Sequence, residues 1–312
     1  MSRILVSGSL AYDRIMDFPG YFRDHFLADK LHNINISFNV ETFAENFGGT
    51  AGNIAYNLAL LGLQPKIVST AGSDFDRYAR HLQALNVDIS SIRVDMRALT
   101  STAYVITDKA DNQIAAFSAD AGNEPYMPLP ETDDSSAAVI GAGCVEDMRL
   151  LPEHFRSRNI PYLYDPGQQI PALSEEDVRR GIANAAVVFG NDYEMSLMMQ
   201  KTGWDEKTML EKTQVIISTY GEKGSRVLTR TGDSFVKAVR AKDAIDPTGA
   251  GDAYRAGYLV GFLRGMPPEK CAQIGSTCAA YAVEHYGTQS HVFTPADIKA
   301  RYEETYKETI VV

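Results

Sequence analysis

Residues 246–265 read DPTGAGDAYRAGYLVGFLRG, and the interpretation of the whole chain starts from this stretch. An Asp-Pro-Thr turn leads into Gly249, Ala250 and Gly251, and an apolar helical pattern begins there. Small residues at a helix start leave backbone N–H groups unpaired, and the helix dipole favours negative charge at that point. Asp252, the next residue, either caps these groups or lies beside a phosphate that they bind. The compact Gly-Ala-Gly-Asp run favours the second interpretation, in which Asp252 accepts a proton.

Short apolar runs alternate with amphipathic segments along most of the chain. Strands rich in Val and Ile that alternate with helices of about 10–15 residues predict βαβ units, a parallel sheet and therefore an α/β fold. The predicted strands are 4–8, 66–71, 137–141, 161–165, 186–191 and 215–219. The predicted helices between them are 53–61, 75–85 and 193–202. Farther on, the pattern predicts an antiparallel pair, 225–229 with 234–239, and helices that start at residues 251, 268 and 295.

Two stretches interrupt this alternation. Residues 12–47 contain alternating runs such as 32–40, and residues 102–119 contain two β-like runs around a turn at 108–112. Neither stretch has an evident helix to cover a sheet. They are therefore predicted to form a small separate sheet, a lid made by about 13–47 and 100–120, on a single domain that spans 1–312. The alternative is a pair of surface excursions without function.

Composition limits the partners and the compartment. The 312 residues carry a net charge of −10 with a pI near 5.1, which argues against a nucleic-acid or anionic-membrane surface. No stretch approaches the roughly 18 apolar residues of a membrane span. The three cysteines, Cys144, Cys271 and Cys278, show no paired metal spacing and are predicted to be reduced core residues. These features together predict a cytoplasmic protein.

The motif around Asp252 contains two of the parts that phosphoryl transfer requires. That chemistry needs donors for the charge on the transferred group, a metal for the nucleotide phosphates and a base near the accepting hydroxyl. The Gly249–Asp252 run supplies the donors and the base. No G-x-x-x-x-G-K-[ST] motif occurs, so the chain is not a P-loop protein, and no G-x-G-x-x-G follows the first strand, which weakens a dinucleotide-dependent oxidoreductase.

Four segments resemble signatures of the ribokinase-like (PfkB) family of carbohydrate and nucleoside kinases, in the order the family has them. Residues 246–265 resemble its C-terminal signature, and residues 48–62, which begin GGTAGN, resemble its N-terminal signature. Residues 191–194, NDYE, match its N-x-x-E motif, and residues 219–224 match the turn beside its nucleotide site. The resemblance implies a three-layer αβα sandwich with a mostly parallel central sheet and a small β-sheet lid. It also implies a phosphotransferase that uses ATP and Mg²⁺.

The resemblance further implies roles around the nucleotide. Asp252 would be the general base, and Gly249, Ala250 and Gly251 would form the anion hole. Asn191 and Glu194 would organise Mg²⁺ through water, although an acid near an Asn is also typical of a helix start. The residues expected beside the nucleotide are Thr219, Gly221, Gly224 and, on a late helix where many relatives carry an Asn, Ser276 and Cys278. K⁺ near residues 246–248, as in some relatives, is a further candidate cofactor.

On the substrate side, the family places an acid at the position of Asp13 to accept hydrogen bonds from two sugar hydroxyls. Gly48 and Gly49 would allow the backbone to approach the sugar, and Asn53 would reach another hydroxyl or cap its helix. A nucleoside would also need an apolar slot for its base. The candidates for that slot are Phe38 and Phe117, expected in lid strands, and Gln113 and Gln168, which would read a base edge.

Several segments, among them GSLAYDRIMDF and DPGQQ, resemble bacterial and archaeal nucleoside kinases more closely than ribokinase or fructokinase. This closer likeness implies phosphorylation of a ribonucleoside at its 5′-hydroxyl, with adenosine as the first candidate and inosine or guanosine next. One alternative is a kinase for ribose, fructose or a related sugar. Another is a nucleoside-binding protein without turnover. Exposed lid strands also make a homodimer through the lid a candidate assembly.

Overall fold

Two β-sheets and a set of helices make up the chain, whose computed structural model describes residues 3–26, 35–110, 112–132 and 134–310. The strands are β1 Arg3–Ser7, β2 Ala11–Asp17, β3 Thr42–Gly48, β4 Pro65–Gly72, β5 Ile92–Asp95, β6 Ser101–Thr107, β7 Gln113–Ser118, β8 Ser135–Ile140, β9 Tyr162–Tyr164, β10 Val187–Asn191, β11 Val215–Thr219, β12 Gly224–Thr229 and β13 Asp233–Lys237. The helices are α1 Thr50–Leu60, α2 Asp76–Ala84, α3 Val145–Arg156, α4 Glu175–Ile182, α5 Asp192–Thr202, α6 Glu206–Lys212, α7 Ala250–Leu263, α8 Pro268–Ala282 and α9 Pro295–Tyr306.

The large sheet is mostly parallel and is covered by helices on both faces. Its strand order is β13-β12-β11-β10-β9-β8-β1-β4-β5, and only β12 and β13 run antiparallel to their neighbours. Successive residues of a strand point to opposite faces, so Ile4 and Val6 pack with α1, α2, α7, α8 and α9. Leu5, between them, packs with α3, α4, α5 and α6. The α/β fold with a parallel sheet, predicted from the alternating pattern, is therefore confirmed, as is the three-layer αβα sandwich that the family resemblance implied.

The small sheet confirms the predicted lid. Its order is β3-β2-β6-β7, with β2 parallel to β6 and antiparallel to β3. Strand β3 leads directly into α1, so the lid is joined to the main body beside the first helix of the sandwich. The strands β3 and β7 form the two edges of this sheet. Pairing of two lids in a homodimer stays a prediction.

The structure differs from the sequence-based expectation in several elements. Helices α3, α4 and α6 were not among the predicted helices. Pro152 lies inside α3, and α4 and α6 have only eight and seven residues, too few to show a clear helical period. The alternating run at 32–40 does not form a strand where it is described: residues 35–40 are irregular, and residues 32–34 lie outside the described part of the chain.

The described residues also bear on the cysteines and on membrane insertion. All three cysteines are buried and unpaired, as predicted. Among the described helices, none has the length and apolar character needed to cross a bilayer.

Candidate active site

At the start of helix α7, backbone amides lack a hydrogen-bond partner among the described residues. Gly249 caps the helix with φ 79°, a left-handed conformation that a residue with a Cβ rarely adopts. The Ala250 N–H donates to the Pro247 carbonyl at 3.2 Å, so this member of the predicted anion hole already has a weak partner. Within the described residues, the N–H groups of Gly251 and Asp252 find no acceptor. These amides are free to bind an anion.

The carboxylate of Asp252 lies in the first turn of α7 and is held by one side chain. Asn53, buried in the first turns of α1, donates from Nδ2 to Asp252 Oδ2 at 2.8 Å. Burial raises the pKa of Asp252 to about 7, and the hydrogen bond from Asn53 acts in the opposite direction. A carboxyl group with a pKa near neutral is well matched to accept a proton at physiological pH.

Asp13 lies on the lid face that points toward this helix start. It pairs with Asn46 across β2 and β3, and a Cβ at Gly48 would collide with its carboxylate. The absent side chain at Gly48 is therefore required for this close approach. Burial, followed by the nearby charge of Asp246, raises the pKa of Asp13 to about 6. Two partly desolvated carboxylates, Asp13 and Asp252, thus lie close enough for their charges to interact.

A buried ion pair that the sequence analysis did not identify lies next to the first turn of α7. Arg255, one turn after Asp252, donates from Nε to Asp165 Oδ2 at 2.7 Å. Its Nη1 donates to the Gly251 carbonyl at 3.1 Å, and its guanidinium lies over the ring of Phe189. An arginine within an otherwise apolar helix was a signal for such a pair. The pair fixes the first turn of α7 against the end of β9.

Asn191 and Glu194 form the N-terminal cap of α5. Asn191 Oδ1 accepts from the Glu194 N–H, and Glu194 Oε2 accepts from the Asn191 N–H, each at 2.8 Å. Glu194 Oε1 points toward the turn at Gly167, and burial raises the pKa of Glu194. In the described part of the chain, no group of three or more His, Cys, Asp or Glu side chains could hold a metal. One carboxylate with its shell of water fits Mg²⁺, which commonly takes most of its other ligands from phosphate and water.

The remaining nucleotide-side residues divide into two groups. Thr219 ends β11 and Gly224 begins β12, with Gly221 in the tight turn between them, so the predicted turn is present. Ser276 is buried, and its Oγ accepts from the Val239 N–H at 2.9 Å. Cys278 has no exposed surface and lies against Gly257 in the contact between α7 and α8. Cys278 was predicted to lie beside the nucleotide, but in the structure it packs between α7 and α8. Ser276, predicted for the same place, makes a hydrogen bond to the backbone inside the protein.

The residues proposed for the base slot are dispersed. Phe117 on β7 is opposite Ala103, which is itself opposite Asp13, so it shares the face of Asp13 and is 58% exposed. Gln113 is also on β7, at its other end, and is exposed. Gln168 is exposed in the turn after β9. Phe38 is not in a lid strand, contrary to prediction; it packs in an aromatic cluster with Phe18 and Phe22 at the end of β2 remote from Asp13.

The loop after α8 lies between the start of α7 and lid strand β3. Asp246 accepts hydrogen bonds from the backbone N–H groups of Thr248 at 2.9 Å and Gly287 at 3.0 Å, which makes it a turn residue. Thr288 donates to the Phe47 carbonyl at 2.8 Å and so connects the loop to β3. No sequence signal identified this loop as part of the site. Binding of K⁺ near residues 246–248 stays a prediction.

Comparisons with known proteins agree with this geometry. The sequence pattern of the pfkB family carbohydrate kinases matches residues 11–295. A nucleoside kinase of Methanocaldococcus jannaschii is 30% identical over 305 residues, which cover 97% of each chain. The structure of Burkholderia thailandensis nucleoside kinase in complex with inosine has a TM-score of 0.88 at 36% identity and covers 98% of this chain and 99% of that one. The complex of the same kinase with ADP-inosine has a TM-score of 0.86 at 37% identity, covering 98% and 97%.

Proposed function

The chain belongs to the pfkB family of carbohydrate kinases and is a kinase, and from this premise we propose that it transfers the terminal phosphoryl group of ATP to the 5′-hydroxyl of a ribonucleoside, adenosine first among them. The observation that carries the proposal is the position of Asp252. Its carboxylate, with a pKa near 7, lies in the first helical turn beside the unpaired amides of α7. This arrangement places a proton acceptor next to an anion site, as an attack on phosphorus requires.

In this mechanism the residues of the chain act by position and by charge. Asp252 takes the proton of the 5′-hydroxyl as the hydroxyl oxygen attacks the terminal phosphorus of ATP, and the bond from that phosphorus to the bridging oxygen breaks, so that ADP leaves. The amides of the Gly249–Gly251 run donate to the phosphoryl oxygens as negative charge develops on them, and the Ala250 N–H leaves Pro247 to take part. Glu194 would hold Mg²⁺ through water, and the ion would neutralise charge on the nucleotide phosphates. The turn at Thr219–Gly224 borders the nucleotide.

The surface of the lid favours a nucleoside rather than a free sugar as the substrate. Asp13 would accept hydrogen bonds from the two ribose hydroxyls. Next to Asp13, the central part of this lid face is apolar, because alternate strand residues share a face, whereas its far end carries Asp17 and Thr42. The apolar residues of that face are Ile15, Ala44, Val105, Ala115 and Phe117. A planar base fits such a surface, whereas a simple sugar would leave it unused.

The substrate class can be tested by ATP consumption with adenosine, inosine, guanosine, cytidine, ribose and fructose. We expect the highest kcat/KM for adenosine, activity with inosine or guanosine, and none near these values with the free sugars. Coupling between phosphorus and the 5′ protons in the NMR spectrum of the product would locate the new phosphate. A higher kcat/KM for ribose or fructose would make the chain a sugar kinase. Tight nucleoside binding without ATP consumption would make it a binding protein.

A second test addresses Asp13. We expect kcat/KM for 2′-deoxyadenosine to be about 10- to 100-fold below that for adenosine, because the missing hydroxyl leaves a desolvated acceptor unpaired. Asp13→Asn should reduce this discrimination. Asp17→Asn, on the same strand and face but at the exposed end of β2, is the matched control and should preserve it. Equal kcat/KM values for the two nucleosides in the unmodified chain would refute the contact.

A further inference from the structure

A network of hydrogen bonds connects the backbone carbonyl of Gly48, at the end of β3, to Asp252. Tyr78 of α2 donates its hydroxyl proton to the Gly48 carbonyl at 2.8 Å. Gln289, in the loop after α8, lies 2.6 Å from the Tyr78 oxygen and 3.0 Å from Asn53 Oδ1, with its Nε2 toward both atoms. Asn53 in turn donates to Asp252. The connection runs through β3, α2, the loop after α8, α1 and α7.

The chemistry of the groups decides which atom donates and which accepts in each of these hydrogen bonds. A carbonyl only accepts hydrogen bonds, so the single proton of the Tyr78 hydroxyl is committed to Gly48. The Tyr78 oxygen must then accept from Gln289, which turns the Gln289 NH₂ group toward Tyr78 and Asn53. Gln289 Oε1 faces the other way, 3.0 Å from His81 Nε2, which donates to it. Burial raises the pKa of Tyr78 far above its usual range, so the hydroxyl keeps its proton.

The same direction decides which end of the Asn53 amide reaches Asp252. An amide has a donor end and an acceptor end of nearly equal shape. If Asn53 turned over, its oxygen would accept a proton from the neutral form of Asp252 and would stabilise that form. The NH₂ group of Gln289 binds the Asn53 oxygen and prevents this reversal. Asn53 therefore offers only donors to Asp252, and these favour the ionised carboxylate.

Gln289 is itself held in place by its neighbours in the loop. Thr288 is fixed to the Phe47 carbonyl and Gly287 to the Asp246 carboxylate. A Cβ at Gly52 of α1 would collide with the Tyr78 hydroxyl, so Gly52 provides the space in which Tyr78 and Gln289 meet. None of the four motifs includes Gln289.

We propose that Gln289 is a positioning residue, which holds the Asn53 amide with its NH₂ group on Asp252 and thereby keeps the base in its proton-accepting form. The proposal rests on the proposed function of Asp252. Apart from the residues of the hydrogen-bond network, the charged groups that act on Asp252 are Asp13 of the lid, Asp165 after β9 and Arg255 of α7. Gln289→Met changes none of these charges, so its effect on the carboxylate comes through Asn53.

The test compares the acid limb of kcat/KM against pH in Gln289→Met and in the unmodified chain. We expect the limb to move upward by about half to one pH unit, which is the loss of one hydrogen bond expressed as a pKa change. Ser290→Ala, the adjacent exposed polar residue, is the control and should not move it. Tyr78→Phe, which removes the acceptor that orients Gln289, should move it in the same direction.

A double-mutant comparison separates this role from a general effect on the fold. In an Asn53→Ala background, Gln289→Met should no longer move the limb, because the amide through which it acts is gone. An unmoved limb in Gln289→Met, or an equal shift in the Asn53→Ala background, would overturn the proposal. Titration of the Asp252 carboxyl by ¹³C NMR, assigned with Asp252→Asn, measures the same pKa without turnover. This titration tests Gln289 even if Asp252 proves not to be the base.

Discussion

Asp252→Asn is expected to lower kcat by about 10²–10⁴-fold while the KM for adenosine stays within a few-fold. The amide has the shape of the carboxylate and can accept the hydrogen bond from Asn53, so the geometry of the site is preserved. What is lost is the acceptor for the proton of the substrate hydroxyl. Steady-state kinetics with adenosine measures the effect. Asp76→Asn, at an exposed position in the first turn of α2, is the matched control and should leave kcat unchanged.

The pH dependence of kcat/KM should also differ between Asp252→Asn and the unmodified chain. In the unmodified chain, kcat/KM should fall as the pH drops below about 7, because burial raises the pKa of Asp252 to about 7 and the protonated form cannot accept a proton. This limb should be absent from the residual activity of Asp252→Asn. Near-normal turnover in this variant, or an unchanged limb, would remove Asp252 from the role of base.

The charge of Asp252 should also cost stability. A carboxyl group whose pKa is higher in the folded than in the unfolded chain loses stability as pH rises between the two values, here 3.8 and about 7. Asp252→Asn does not undergo this loss. Its urea midpoint relative to that of the unmodified chain should therefore be higher at pH 8 than at pH 4. The ionised form of Asp252, which turnover is expected to require, is thus also the form that lowers the stability of the fold.

Arg255→Met is expected to lower the free energy of unfolding by about 3–5 kcal/mol, because it leaves Asp165 buried without a counter-charge. The two side chains are only 6% and 11% exposed, so water cannot replace the lost partner. Urea unfolding at pH 7 measures the change. Arg156→Met is the control: its pair with Glu153 is exposed, and its loss should cost about 0–1 kcal/mol.

A double variant identifies the origin of this effect. Asp165→Asn combined with Arg255→Met removes both charges and should recover most of the lost stability. If Arg255→Met alone is as mild as Arg156→Met, the pair is not desolvated as the structure indicates. If the double variant is as unstable as the single one, the contact of Arg255 with the Gly251 carbonyl is the main loss instead.

Much of the fold was predictable because its signals are local. Apolar runs of strand length, interrupted by amphipathic segments, indicated βαβ units and a parallel sheet, and the family resemblance implied helices on both of its faces. Two interruptions of that rhythm indicated the lid. The Gly249–Asp252 run indicated the helix start, since small residues followed by an acid act within one turn of backbone. The short helices α4 and α6 were missed because their periods are too brief to detect.

For the candidate site, the local sequence patterns predicted the positions of only some of the residues. Asp13, Gly48 and Asp252 were named from the family resemblance, and the structure places Asp13 against Gly48 and within range of the charge of Asp252. Cys278 shares a helix with Ser276, but helix packing turns it into the contact with α7. Phe38 was assigned to a strand because apolar and polar residues alternate around it, but residues 35–40 are irregular in the structure.

By itself, the sequence indicated the parallel α/β sheet, the lid and an acid, Asp252, in the first turn of α7, and its proton-accepting role stays a prediction. Only the tertiary structure decided the partners of these groups. Asn53 meets Asp252 across 199 positions of sequence, and Arg255 meets Asp165 across 90. Periodicity reports which face of a helix or strand is buried, because it depends on neighbours a few residues apart. Which buried groups face each other depends on strand order and helix packing, and no local pattern encodes these.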